Sequence, residues 1–498
     1  MALSRLQQLF IKQEGIEGTL ASGLYAAGLG NYLAIDPQMT FEVETYQRNV
    51  SRESFTPLSP LAGPVLGQCS FSLEAAAKTG TASTSTRPAF DLPLIACGFR
   101  RDLLYRIELA SPYTITGTGV IRHGSTLTQT TPGATFYVVG DYYSGSQYIW
   151  ATKGAIGATN YLGNATSPDA STGWTVTGAG FTSTAVTPAQ NAVGWWPWST
   201  PLYGMTFTVA QTVTAGGTIV GQGAGGGVAT VYYAVSSSTQ AIIRRVQGSF
   251  AASETVNLYN ADGTSAGTAT LAGTQTAAFS QVGGIGSSVS LGLSKDGIRE
   301  TIAGCRGNVS ISGNIGEPMI LNFTFSGIKD SVTDSGGVNG ITYNDATPPV
   351  LLGTTMTIGD DGIGTVGGQK TLCASTFTMD MGSDIQYRRC MSASTGIDGI
   401  YVNGRTPTMT LDPELTQEVN FDLMANYFAA NRVRMDIVAG TTAPSKFRMN
   451  FPNMAVQSVG QGDRNGLIVR DTTFALHSGS ASSVSGDNEF VLIWDIGV

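Results

Sequence analysis

Charge is scarce in this sequence: 27 Lys and Arg and 35 Asp and Glu among 498 residues make 12 % charged, about half the usual share. Disorder is nevertheless excluded, because disordered chains are charge-rich and poor in aromatics, and this one keeps 6 Trp, 18 Tyr and 20 Phe. An excess of basic residues is also missing, the net charge being −8. Tight binding of nucleic acid rests on Lys and Arg neutralising phosphates, so this balance suits a surface that meets DNA without holding it. No stretch of about 18 apolar residues occurs, and no membrane span is expected. The first fifteen residues lack the apolar core and small-residue cleavage site of a secretory signal. Five cysteines (Cys69, Cys97, Cys305, Cys373 and Cys390) are scattered and odd in number, with no C-x-x-C pair. They predict neither a disulfide framework nor a zinc site, and fit reduced thiols of a protein made in a cytosol.

The composition also lacks the Ala, Glu, Lys, Arg and Leu bias of a helical bundle. It is rich in Gly (64 residues), Ser, Thr and Val, which points to strands joined by many turns. The fold class expected is all-β, and the length gives roughly three domains at about 150 residues each.

Charge density divides the chain. Residues 111–283 hold eight charged side chains: Arg122, Asp141, Lys153, Asp169, Arg244, Arg245, Glu254 and Asp262. Short alternating runs such as Ala229 to Val235 and Ala241 to Val246 lie between turn residues there, so the segment reads as inserted β structure. Ser331 to Pro349, with SGGVNG and a Pro-Pro pair, reads as a boundary.

The flanking segments carry an internal duplication. Thr40-Phe41-Glu42-Val43-Glu44 matches Thr376-Phe377-Thr378-Met379-Asp380, and Phe71-Ser72-Leu73-Glu74 matches Met409-Thr410-Leu411-Asp412. Phe90-Asp91-Leu92 matches Phe421-Asp422-Leu423, each followed by a helix-like apolar stretch. Leu321 to Ser326 loosely resembles Arg470 to Leu476. In each strand one face is apolar and the other acidic or hydroxylic, a period-two pattern that describes a sheet with one face on a core and one face wet. Glu42, Glu44, Glu74, Asp380 and Asp412 are the carboxylates of that wet face.

Catalytic constellations are thin. His123 and His477 have no second histidine or carboxylate at ligand spacing. Gly263-Thr264-Ser265-Ala266-Gly267 fits G-x-S-x-G, but a nucleophile elbow needs a strand before and a helix after, and these flanks read as a hairpin. Gly221 to Gly227 lacks the Lys-Ser/Thr of a phosphate loop. Asp360-Asp361-Gly362 lacks the other ligands of a calcium loop. Trp195-Trp196-Pro197-Trp198 reads as packing beneath a loop of the insert, or as a contact surface for sugar or protein. No enzyme, cofactor or metal is expected.

At this point the sequence resembles the major tail tube proteins of long-tailed, non-contractile (siphovirus-type) bacteriophages. Leu9-Phe10-Ile11-Lys12-Gln13-Glu14 followed by Gly18-Thr19 resembles that family's opening arm. Residues 88–99, ending Ala96-Cys97-Gly98-Phe99, are similar to its helix. Asp296-Gly297 and then Ala303 to Ile311 resemble its strand pair around a Gly-x-Arg-Gly turn, and Phe323-Thr324-Phe325-Ser326-Gly327 its closing strand. The resemblance covers about two-thirds of the chain; residues 111–283 have no counterpart.

With the duplication, the resemblance implies two tandem tail-tube-type β-sandwich or barrel domains, each with one flanking helix; the insert, one or two small β domains whose segment Ala229 to Tyr259 looks like an immunoglobulin-like or SH3-like module, reads as an outward decoration. The expected boundaries are 1–110 and 284–335 for the first tube domain, 111–283 for the insert, and 336–498 for the second tube domain. Family rings contain six such domains, so three chains are expected per ring, in pseudo-six-fold symmetry. Rings stack into a virion tail tube, assembled in the bacterial host cytoplasm, through which double-stranded DNA passes without tight binding. The partners implied are further copies of the chain and the tape measure, tail terminator and distal tail proteins, with no membrane. Glu42, Glu44, Glu74, Asp380 and Asp412 are then candidates for a polar face lining the lumen or lying between rings. The alternative reading is a phage decoration or host-surface-binding adhesin module.

Overall fold

The computed structural model describes residues 7–14, 18–29, 32–48, 58–77, 88–109, 114–116, 126–129, 135–144, 146–153, 174–176, 180–182, 189–197, 202–211, 217–223, 227–234, 238–247, 250–260, 265–272, 276–277, 288–344, 346–360, 370–414, 422–440, 445–477 and 489–495. These are mostly β-sheet, with two α-helices and one 3-10 turn among the described residues. None of those helices is long and apolar enough to cross a membrane.

The chain opens with β1 (Gln7–Gln13), β2 (Ile35–Tyr46), β3 (Leu61–Glu74), α1 (Asp91–Ala96), β4 (Phe99–Leu109) and, much later, β5 (Ala189–Pro197). It continues with β6 (Val289–Lys295), β7 (Ile298–Asn314) and β8 (Ile320–Asp334). Then come β9 (Thr355–Asp360), β10 (Ala374–Asp380), β11 (Ser383–Arg389), β12 (Ile397–Arg405) and β13 (Thr408–Pro413). Last are α2 (Leu423–Ala429), β14 (Arg432–Ala439), β15 (Lys446–Val459), β16 (Thr472–Leu476) and β17 (Val491–Asp495).

Two four-stranded antiparallel sheets have the same connectivity. The first runs β2-β3-β8-β7 and the second β10-β13-β16-β15. In each, the first two strands are followed by the helix, and the last two strands of the chain return in reversed order beside the second. The sheets join edge to edge, because β7 pairs with β10 from Ser310↔Asp380 to Asn314↔Thr376. One row of side chains therefore crosses both: Leu73, Leu321, Ile311, Met379, Met409, Phe474 and Val456 lie opposite one another in sequence. All seven are buried in a single apolar core.

The long strands β7 and β15 take further partners at their N-terminal ends, β7 while still paired with β8. There β7 pairs with β6, which pairs with β1, and β15 pairs with β14 and β17. This second region is buried on both faces: six of the seven β6 residues are buried, Ser290 and Ser294 included. Such strands need hydrogen-bonding partners for their polar side chains, and Ser290 meets this by donating to Glu14.

Both helix-like stretches are helices. α1 ends where expected, with Cys97 as its C-cap and Gly98 at φ +91°, a left-handed turn that leads straight into β4. In α2, Asp422 is the N-cap and its side chain accepts from Ala425 N–H at 2.7 Å, whereas the matching Asp91 is the first residue inside α1. α1 buries Asp91, Pro93, Leu94 and Ala96, whereas α2 buries none of its residues and leaves Phe428 77 % exposed.

Four expectations need correction. First, Phe41 and Phe377 match in sequence but not in register. Phe377 lies opposite Leu411, whereas Phe41 lies opposite Gly67 and Leu73 falls beside the Ile35 end of β2. The match is displaced six residues along the strand, and an even displacement keeps every side chain on its face. Second, Gly304-Cys305-Arg306-Gly307 is not a turn. It lies within the continuous strand β7, at the register shift between Ala303 and Arg306; the turn of that strand pair is Asp296-Gly297.

Third, residues 111–283 are not wholly inserted decoration, because part of them belongs to the main sheet. The Trp cluster begins in β5, which is hydrogen-bonded between β4 and β17 in the main sheet, and strand Ser146–Lys153 continues that sheet from β4. The separable part runs from Leu202 to Ala277: seven strands in one sheet that curls until Phe207 bridges Leu271. It has its own core, including Phe207, Ile219, Ile243, Phe250 and Leu258. Ser265 of the G-x-S-x-G stretch begins a strand opposite Tyr259, so no elbow forms. Fourth, the Ser331–Pro349 segment is fastened to the first half. β8 extends to Asp334, Val338 exchanges two hydrogen bonds with the Gln8 side chain at 2.9 and 3.0 Å, and Asn344 donates to Ala77 O at 3.1 Å.

Candidate functional site

The face of the joined sheets opposite the core is polar. One row across it reads Ser72, Asn322, Ser310, Asp380, Thr408 and Ala475, all half-buried. Ser72 donates to Asn322 Oδ1 at 2.6 Å, so hydroxyls and amides partly satisfy one another along it. Arg306 shares this parity, but it is fully buried and its Nε donates to Ile400 O at 2.8 Å.

The five predicted carboxylates divide into two groups. Glu42 is exposed and Glu74 half-buried, and nothing bonds to either among the described residues. The other three are occupied. Glu44 receives Arg389 Nη1 at 2.6 Å, with the second guanidinium nitrogen on its other oxygen. That hydrogen bond holds its carboxyl below the usual range, against the opposing effect of desolvation and with help from the Arg389 charge. Asp380 accepts from Asn308 Nδ2 at 2.7 Å and Gly382 N–H at 2.9 Å, closing the turn after β10. Asp412 accepts from Ser375 N–H at 2.9 Å, Thr376 N–H at 2.8 Å, the Ser375 hydroxyl, and Arg464 Nη1 at 3.2 Å. Burial pushes Asp412 up, but these bonds and the Arg464 charge outweigh it and its carboxyl lies below the ordinary value.

The strand pairs of the two sheets end differently. β2 and β3 stay paired out to Tyr46↔Leu61, past a register shift between Val43 and Thr45. In the second sheet the pair breaks at Gly382, whose φ is +56° and where a Cβ would meet Thr406 O at 2.6 Å. Beyond it β11 and β12 form a separate arm that lies over the first sheet. Ile397 and Ile400 bury with Ile328 there, against Leu66, Ile385 and Tyr387. The Arg389–Glu44 pair ties the arm's tip to the β2 hairpin.

Among the described residues the outer edges of the joined sheets are open: β2 pairs only with β3, and the C-terminal end of β15, Val456 to Val459, only with β16. In connectivity these are the counterparts of β10 and β7, the strands that pair at the junction.

The sequence named Glu14 only as the last residue of the opening-arm stretch, with no role assigned to its carboxylate. Its two oxygens accept from Ser288 Oγ and Ser290 Oγ at 2.7 Å each, from Gly18 N–H at 2.9 Å and from Gly304 N–H at 2.7 Å. It fastens the N-terminal segment to β6 and to the bulge of β7. No sequence motif announces this, because its donors are four separate small residues.

Reactive chemistry is sparse. Burial pushes the Cys69 thiol up to about 12 and Cys97 and Cys305 well above the ordinary value. Among the described residues no group of three His, Cys, Asp or Glu is placed to hold a metal ion. His477 is exposed, and its backbone N–H donates to Asn453 O at 2.9 Å. His123, Asp361 and Gly362 lie outside the described residues. No family model and no curated protein matches the chain.

Proposed function

We propose that this protein is a structural subunit whose copies join edge to edge into a ring, and that stacked rings form a tail tube through which double-stranded DNA passes. The β7–β10 junction carries this reading. It joins two sheets of equal connectivity inside one chain and leaves the same two kinds of edge, β2 and β15, open at the ends. A heterologous contact of this kind builds a ring where its rotation closes and an open filament where it does not, and closure removes strand edges that would otherwise drive aggregation.

Size selects the number of chains. At about 4.8 Å between strands and a tilt of about 40°, the 16 strands of two chains give a backbone diameter of about 32 Å. Side chains of roughly 6 Å on each side then leave a bore of about 20 Å, too tight for a hydrated duplex of that width. The 24 strands of three chains give about 48 Å and a bore of about 36 Å. Three chains and six sheets are therefore the smallest ring that passes duplex DNA, in agreement with the tail-tube resemblance.

The polar sheet face, where the arm β11–β12 does not cover it, is the bore in this reading. Hydroxyls, amides and the unpaired carboxylates of Glu42 and Glu74 offer phosphate little to bind, so contacts do not accumulate along the tube. The curled module from Leu202 to Ala277 has its own core and is the outward decoration. Electron microscopy of the purified protein tests the reading. Tubes or rings with three-fold symmetry and six similar lobes are expected; a monomer that persists with the other tail components present would overturn it.

A further inference from the structure

We propose that α2 docks, through Tyr427 and Phe428, on the turn end of the β6–β7 hairpin of a neighbouring copy of this chain, at Ile298 and Val332. The inference rests on the ring reading and names a contact that would lie beside the paired edges. Its template is made inside the chain, where the helix of the first half covers the hairpin end of the second. Phe90, the N-cap of α1, meets Phe447 edge to face with ring centroids 5.8 Å apart, and both are fully buried.

The two halves place these parts alike. α1 rests on β7 and α2 on β15, the equivalent strands of the two sheets. Hairpin β6–β7 leads into β7 as β14–β15 leads into β15, with β1 beside β6 and β9 beside β14. Phe447, opposite Ala439, stands in the outermost pair of its hairpin, and Ile298, opposite Lys295, in the outermost pair of the other. Both point to the core side. Ala439 shares a face with buried Met435 and Ile437, Lys295 with buried Leu291 and Leu293, and cross-strand partners share a face. Val332 joins Ile298 there, because it lies opposite Glu300, which lies opposite Leu293.

What differs is cover. Phe447 is 0 % exposed, whereas Ile298 and Val332 are 39 % and 47 % exposed. At the positions that match buried Ala96 and Cys97, α2 carries Tyr427 and Phe428, their rings 5.7 Å apart and their exposure 37 % and 77 %. One helix-on-hairpin pair is thus closed within the chain, and the helix and the hairpin of the equivalent pair are both present and both bare. The order of parts makes the missing contact an inter-chain one. α1 reaches across the β7–β10 junction to the half that follows. Across the open β15 edge, the half that follows α2 is the first half of the next copy. Aromatic rings on an otherwise uncovered helix suit such a contact, because they bury much area with few rotors.

The test is a photo-crosslinker (benzoylphenylalanine) placed at Phe428 in the full chain, with heavy-isotope and ordinary chains mixed before assembly. Adducts joining heavy to light chains on residues 293–300 or 330–334 are expected. The double variant Tyr427→Ser, Phe428→Ser is expected to keep the wild-type circular dichroism and melting temperature while assembling roughly tenfold more weakly. Ile298→Ser with Val332→Ser should weaken assembly by a similar factor, and all four changes together by little more than either pair, the coupling of residues that meet. Tubes without inter-chain adducts on those segments, a Tyr427/Phe428 variant that assembles like wild type, or pairs whose effects add in full would overturn the docking but leave the tube. Inter-chain adducts on those segments in a species without a bore would support the docking and overturn the tube. A chain that never self-associates would overturn both.

Discussion

Ile311 and Met379 lie directly opposite each other across the β7–β10 pair, both fully buried, although they belong to different halves of the chain. Their contact makes one sheet and one core out of two repeated units. A covalently joined pair needs no association entropy at this junction, so every second junction of the proposed ring is preformed.

Glu14 is expected to be the anchor of the N-terminal segment. Glu14→Ala leaves two buried serine hydroxyls and the Gly304 N–H without their acceptor, and should cost about 2–4 kcal/mol. Urea denaturation measures the loss, and limited proteolysis should cut first beside β1. Glu14→Gln, which keeps one acceptor oxygen, should fall between the two.

Acid should act in part through Asp412. Its folded carboxyl lies below the ordinary value of 3.8, so its contribution is fully present above that pH and is lost as pH falls through the lower folded value. Asp412→Asn should melt lower than wild type at pH 7, and the difference should shrink on titration below about pH 4. A difference that stayed constant with pH would remove Asp412 from the acid limb.

Ala430 ends α2 in the left-handed region at φ +50°. An L side chain there costs about 1–2 kcal/mol, part of which glycine returns as unfolded-chain entropy. Ala430→Gly should therefore stabilise the protein by up to about 1 kcal/mol, read as a rise in melting temperature.

Charge reversal on the polar face separates a conduit from an adhesin. Glu42→Lys with Glu74→Lys changes only carboxylates without partners, so rings should still assemble. In a three-chain ring they add six lysines, and retention of duplex DNA should become measurable at low salt and vanish steeply as salt rises. Filter binding to assembled tubes reads this. DNA binding unchanged from wild type would place the face outside the bore.

The thiols should divide by burial. Cys69, Cys97 and Cys305 are buried, whereas Cys373 is exposed and Cys390 partly so. Hydrogen bonding with Ser392 also lowers the Cys390 thiol below its ordinary value. A maleimide at neutral pH should label two of the five quickly, Cys390 first, and the other three only after unfolding.

Much of this was legible in the linear sequence because it depends on neighbours along the chain. The all-β class, the alternation that puts Phe71, Leu73, Met409 and Leu411 inward, and the helix-like stretches after Asp91 and Asp422 are local consequences of period and composition. Register is not local. A period-two pattern is unchanged by an even shift, so the six-residue displacement between Phe41 and Phe377 was invisible until cross-strand partners were assigned. Occupancy is not local either: Glu44, Asp380 and Asp412 read as a free acidic face, and tertiary packing brought Arg389, Asn308, Ser375 and Arg464 to them. Sequence determined which way each side chain of a strand points. Only the tertiary structure decided what it meets, because pairing energy comes from residues hundreds of positions apart.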